Sequence, residues 1–174
     1  AIHRNCSRKV FSEMTALEGG YTADAQHEVI KREKLCCLLL IASEAVGLGR
    51  AALKRAAGYA NEREVFGRPI GQNQGIQHPL AKSWMELEAA DLMVQKAAWL
   101  YDQNMPCAAD ANSAKYLAAE ACYHACENAI FTHGGMGYAK EYHVERYLRE
   151  SWIPRLAPVS PQLILCFIAE KVLG

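Results

Sequence analysis

A chain of 174 residues with 51% hydrophobic residues, 22% charged residues and a formal net charge of zero is long enough to bury one sizeable core and too apolar to be disordered. The balanced charge excludes an electrostatic grip on nucleic acid or on a membrane surface as the main mode of action. The longest apolar run, residues 35–42, is far shorter than a bilayer span and no signal-peptide pattern precedes it, so a soluble protein without membrane insertion is expected.

Residues 1–32 show no sustained period and read as a lead-in segment or linker; residues 33–174 carry the helical domain. From about Glu33, Leu38, Ile41, Ala45, Leu48, Ala52, Ala56 and Tyr59 recur at three- and four-residue spacing and make one helical stripe. Opposite them lie Ser43, Gly47, Arg50, Lys54, Gly58 and Asn61, a polar face thinned by two glycines. Pro69 and Gly71 end this element, and a second helix starts between Gln74 and Pro79, since proline is best tolerated in a first turn. Its stripe is Ile76, Leu80, Trp84, Leu87, Asp91, Val94, Ala98 and Tyr101. Pro106 separates it from a third helix with Asp110 as the expected N-cap, and Ala111, Ala114, Leu117, Ala121, Ala125 and Ala129 form a seam suited to close packing. A short helix runs from about Tyr142 to Glu150. Ser160-Pro161 gives an N-cap with proline at the first helical position, opening a last helix with Leu163, Ile164, Phe167, Ile168 and Val172 on one side. No alternating strand pattern occurs in residues 33–174. The expected fold is all-α, an antiparallel four-helix-type bundle.

Seven cysteines is a high and odd count, and no C-x-x-C occurs. Cys122 and Cys126 are spaced one helical turn apart, but no third ligand is placed by spacing, so no metal site is expected. Buried reduced thiols fit better, and they imply a reducing, intracellular compartment.

Two stretches carry the functional signal. Between the third and fourth helices, His133-Gly134-Gly135-Met136-Gly137-Tyr138 is a glycine-lined turn whose peptide groups a ligand or a second chain can approach. After the first helix comes Arg63-Glu64-Val65-Phe66-Gly67-Arg68-Pro69-Ile70, followed by Gln74. A permanently charged planar guanidinium there suits a pyrophosphate, which it can grip with two parallel hydrogen bonds. Together with Glu141-Tyr142-His143-Val144-Glu145-Arg146, these motifs resemble the carboxy-terminal helical domain of the acyl-CoA dehydrogenases, a family of FAD-dependent enzymes. The resemblance runs from about Lys34 to the end.

The resemblance implies a fragment of a longer flavoprotein whose amino-terminal helical and β-domains are absent here. It implies that Arg63 reaches the FAD pyrophosphate of a neighbouring subunit, that Phe66 packs by the cofactor, that Gln74 bonds its adenylate part, and that Gly134 and Gly135 lie against its adenosine. Phe131 stands where the family carries a further glutamine. Ser160 and Gln162 match a threonine and glutamine that reach FAD. The implied reaction is α,β-dehydrogenation of an acyl-CoA thioester in fatty acid metabolism, with an electron-transfer flavoprotein as acceptor and a homodimer or homotetramer as the assembly. The implied location is the mitochondrial matrix in a eukaryote and the cytoplasm in a bacterium. One departure stands out. The family's catalytic glutamate falls at Pro158, and the alternative base position on the first long helix falls at Cys37, so no catalytic residue is assigned. That leaves open an FAD-binding but catalytically inactive subunit of a heteromeric complex, or a structural helical oligomerisation domain.

Overall fold

The computed structural model describes residues 23–174, with side chains from Arg32 onward. Three long helices dominate: α1 (Ala23–Glu62), α2 (Gln74–Asp102) and α3 (Ala108–His133). A closing group follows, made of α4 (Val144–Glu150), α5 (Ile153–Leu156) and α6 (Pro161–Ile168), with a wider last turn over Ala169–Leu173. The all-α bundle is as expected, with the closing group in the place of a fourth long helix. α1 begins at Ala23, well ahead of the expected Glu33. Residues 23–32 lack an apolar stripe, yet most are good helix formers, and lengthening an existing helix needs no new nucleus. The rest of the expected lead-in segment, residues 1–22, lies outside the described residues.

Side-chain pairs fix the directions. Lys96 meets Asp110 at 2.7 Å, His124 meets Glu86 at 3.2 Å, and the Asn128 amide donates to Ser83 Oγ at 2.9 Å, so α2 and α3 are antiparallel. Arg50 bridges to Asp91 at 3.1 Å and also to Glu88, which ties α1 to α2 midway along both. Arg32, near the start of α1, donates to Asn104 just beyond the end of α2 at 2.7 Å, so α1 and α2 are antiparallel too, and α1 and α3 run the same way. Where the three cross, a Cβ on Gly49 would lie 2.6 Å from Leu87 Cδ2 and 3.2 Å from the Cys122 Cα, so the absent side chain sets the closest approach.

The buried faces follow the expected stripes with two shifts of phase. On α1, Leu38, Ala45, Ala52 and Ala56 are buried as expected, joined by Leu39, Ala42, Val46 and Leu53, because α1 packs against two helices and needs a wider apolar face. On α2 the core residues are Ser83, Leu87, Ala90, Val94, Ala97 and Tyr101, while Trp84 is 56% exposed. Small residues take the inner face there because α3 presents alanines at close range. The seam on α3 is buried except Leu117. Asp110 is not the N-cap of α3: that place is Cys107, and Asp110 sits in the first turn, bound to Lys96.

α6 opens as expected, with Ser160 Oγ accepting from the Leu163 amide at 3.4 Å. Ile164 is buried and Phe167 and Ile168 half-buried, whereas Leu163 and Val172 are exposed. Arg155 fixes α5 to α3 through a two-pronged contact with Glu120 at 2.9 and 3.2 Å. By length and composition alone, α1 is apolar enough to cross a membrane, with a window of mean hydropathy 1.7; in the fold, 44% of that window is buried.

Cys36, Cys107, Cys122 and Cys126 are buried, while Cys37 and Cys166 are exposed, so burial holds for only part of the expected set. The hydrogen bond with Cys126, and then burial, push the Cys122 thiol far above its ordinary range. Brief treatment of the native chain with an alkylating reagent should therefore modify Cys37 and Cys166 and leave Cys122 and Cys126 intact until denaturation. Rapid native labelling of Cys122, read by peptide mass mapping, would contradict this packing.

Candidate functional site

At one end of the bundle, the chain leaving α1 folds into a minimal hairpin of two-residue strands, β1 (Glu64–Val65) and β2 (Arg68–Pro69), with Val65 opposite Arg68. Period-2 patterning is invisible at this length, so the sequence shows only a break. The loop residues Phe66 and Gly67 have φ of 54° and 75°, the pair of left-handed conformations that matches the twist of two-residue hairpins. That conformation is strained for phenylalanine, and the ring it carries is fully exposed, at 101%. The Ile70 amide donates to the Arg63 carbonyl at 2.9 Å, and Arg68 Nη2 donates to Asn73 Oδ1 at 2.7 Å. Arg63 itself is exposed. Gln74, the first residue of α2, is exposed beside the hairpin.

The glycine turn lies at the same end. His133 stacks on Tyr59 with centroids 4.3 Å apart, and both rings meet Tyr142 edge-on at 5.6 Å. The His133 Nδ1 lies 2.7 Å from the Ala129 carbonyl, which fixes the ring as a buried closure between α1 and α3. Gly134 ends α3 at φ 57°, ψ −133°, a region essentially restricted to glycine. A Cβ on Gly137 would sit 2.7 Å from the Ile130 carbonyl oxygen, so the turn can fold back on α3 only without a side chain there. Gly134 and Gly135 have nothing within 4 Å of a Cβ position, which leaves their outer side open. Around this opening Phe131, Met136 and Tyr138 are exposed.

Ser160 and Gln162 lie at the other end. Lys115, on α3, is 1% exposed, and its ammonium donates to the Val159 carbonyl at 2.5 Å. Burial pushes this ammonium below the ordinary lysine range, and the charge of Glu120 offsets part of that effect. Lys115 precedes His133 by eighteen residues of helix, about 27 Å. The candidate residues thus fall into two groups: Arg63, Phe66, Gln74, Gly134 and Gly135 at one end, Ser160 and Gln162 at the other. Pro158 is exposed beside the second group. Cys37 is exposed on α1, because the helix turns Cys36 and not Cys37 into the core. Among the described residues no group of three His, Cys, Asp or Glu could hold a metal ion.

Sequence reasoning missed Lys115, which follows Ala114 in the small-residue helix and reads as a solvated lysine, and Arg68, whose bond to Asn73 buttresses the hairpin. The lysine within an otherwise small-residue seam was the available signal.

The family model described as acyl-CoA dehydrogenase, C-terminal domain, matches residues 39–157. Acyl-CoA dehydrogenase FadE12 of Mycobacterium tuberculosis is 46% identical over 135 residues, which are 76% of this chain and 35% of that protein. The chain therefore spans about a third of the length of the curated relatives it matches. Among solved structures, glutaryl-coenzyme A dehydrogenase in complex with glutaryl-CoA gives a TM-score of 0.81 at 34% identity, over 84% of this chain and 38% of that one. PigA with FAD and proline gives 0.79 at 26% identity, over 83% and 38%. The chain belongs to the acyl-CoA dehydrogenase family, and its helical bundle is that family's carboxy-terminal domain.

Proposed function

We propose that the full-length protein is an FAD-dependent dehydrogenase of acyl-CoA thioesters, slow on its own because neither Pro158 nor Cys37 is a carboxylate base, that passes its electrons to an electron-transfer flavoprotein, and that this domain supplies two half-sites for FAD. The observation that carries this reading is the separation of the candidate residues between the two ends of the bundle, each end open to the outside. A purely structural bundle has no use for a phenylalanine held in strained left-handed backbone at an exposed tip.

The residues fit the cofactor. Arg63 and Arg68 bring positive charge to the end where Phe66, Phe131 and Tyr138 expose flat rings and Gly134-Gly135 expose peptide groups. An anionic dinucleotide with an aromatic base needs those three things. FAD supplies the two-electron redox chemistry when bound. Arg63 grips the pyrophosphate, Phe66 packs on the cofactor, Gln74 bonds the adenylate, and the open turn admits the adenosine. Ser160 and Gln162 donate from the other end, on a segment that Lys115 holds through Val159. A span of about 27 Å between the groups favours sharing of one FAD between two protomers related by two-fold symmetry. A reducing intracellular compartment suits the free thiols Cys37, Cys122, Cys126 and Cys166.

Purified full-length protein should carry close to one FAD per protomer and sediment as a dimer or larger, and Arg63→Glu should remove most of the flavin. A flavin-free or strictly monomeric full-length protein would overturn the reading. The isolated 174-residue chain should show no tight FAD site on titration, since an incompletely buried cofactor forfeits much of its contact area. Stoichiometric yellow protein from this chain alone would contradict that.

A further inference from the structure

Phe131 has no structural task that the fold explains. It stands in the last turn of α3, and the Gly134 amide that ends the helix donates back to the carbonyls of Ile130 and Phe131, so the ring adjoins the open glycine turn. The ring is 71% exposed. The aromatic cluster that closes this end, Tyr59, His133 and Tyr142, forms without it. Phenylalanine is only a middling helix former, and a ring left in water adds little to the core. Nothing lies within 4 Å of a Cβ position on Gly134 or Gly135, so a flat group can come up to the turn beside the ring.

The polar groups nearest the ring are committed elsewhere or serve either role. One turn back on α3, the Asn128 amide donates to Ser83 and the Glu127 carboxylate accepts from the Tyr123 hydroxyl at 3.5 Å. The Gly134 N–H is turned inward to α3. Gln74 and Tyr138 are exposed at this end, and an amide or a phenol can present a donor or an acceptor by rotating. Resting on the FAD reading above, we propose that Phe131 is the stacking platform for the terminal base of the dinucleotide, and that this half-site holds the base by its face without reading its edge. Edge recognition needs donors and acceptors fixed in place, whereas stacking serves any base because every base has a π-face. Phe131 thus selects a dinucleotide over a mononucleotide, and the site accepts other purines in place of adenine.

The test is equilibrium titration of the full-length protein, stripped of flavin, with three ligands followed by flavin fluorescence. They are FAD, its hypoxanthine analogue, which exchanges donor and acceptor at the base edge and keeps the flat face, and FMN, which lacks the adenylate half. FAD and the hypoxanthine analogue should bind within about threefold of each other, where an edge-reading bidentate pair would separate them by roughly 5–150-fold. Phe131→Ala should weaken both dinucleotides by roughly 5–150-fold and leave FMN unchanged, the usual worth of one base stacked on an aromatic ring. Phe131→Trp keeps the stacking face and should retain both dinucleotides within about threefold of the wild type. Because the ring is exposed, the Tm of the stripped protein should not move in either variant. A preference of tenfold or more for FAD over the hypoxanthine analogue, or dinucleotide binding that Phe131→Ala leaves unchanged, overturns this inference while the FAD reading stands. A stripped protein that binds none of the three flavins overturns the FAD reading and this inference with it.

Discussion

Replacing Cys37 by glutamate in the full-length protein is expected to raise the rate at which a saturated acyl-CoA bleaches the flavin by about 10²–10⁴, the usual contribution of a positioned general base. The α-proton of a thioester needs an acceptor, and the resemblance drawn from the sequence puts the two expected base positions at Pro158 and Cys37. Pro158 cannot accept a proton, and Cys37 carries a thiol in place of a carboxylate. The next carboxylates along α1, Glu33 and Glu44, are displaced from position 37 by four and seven residues, roughly 6–10 Å along the axis. Because Cys37 is exposed in the middle of a helix, glutamate is accommodated there with little effect on stability. Anaerobic stopped-flow mixing should show slow bleaching in the wild type and fast bleaching in Cys37→Glu. Fast bleaching in the wild type would reveal a base elsewhere and remove the premise.

Gly137→Ala should cost about 1–3 kcal/mol, the range for forcing extra volume into a well-packed site. The added methyl would meet the Ile130 carbonyl oxygen at 2.7 Å and the Ile130 Cα at 3.1 Å, and both are backbone atoms of α3 that cannot swing aside. In calorimetry of the full-length protein this should appear as a fall in Tm, smaller than the roughly 2–4 °C per kcal/mol of a 150–250-residue domain because a longer chain has a larger unfolding entropy. Gly135→Ala is the informative contrast. Nothing lies within 4 Å of its Cβ position, so stability should change little, while FAD binding should weaken because the methyl stands on the open side of the turn. Equal loss of Tm in both variants would show that the turn is only structural.

Helix identity was legible because the apolar stripes are long and their ends chemically marked, as at Ser160-Pro161 and Pro106. The phase of α2 was not. Trp84 and Ser83 are neighbours, and hydrophobicity alone favours burying the indole; the close alanine seam of α3 admits only the serine, which bonds Asn128. Asp110 reads as a cap because aspartate often is one, but Lys96 on the neighbouring helix competes for it, a contact between elements that no local pattern records. The site was legible as two motifs, since glycines and an Arg-x-x-Phe-Gly segment leave a local signature. What the motifs alone do not convey is distance: Lys115 and its bond to Val159 place Ser160 and Gln162 far from the glycine turn, so the candidate residues form two groups.

Sharing of FAD between protomers is best tested by a hybrid of two full-length variants, Arg63→Glu, which repels the pyrophosphate, and Gln162→Trp, which obstructs the second half-site. Each variant alone should purify nearly free of flavin. When the two are co-expressed with different tags and the mixed dimer is isolated through both, one of its two sites combines an intact Arg63 end with an intact Gln162 end. Its flavin absorbance should then recover to about half that of the wild-type dimer. A hybrid as free of flavin as either parent would show that both half-sites serve a cofactor held within one protomer.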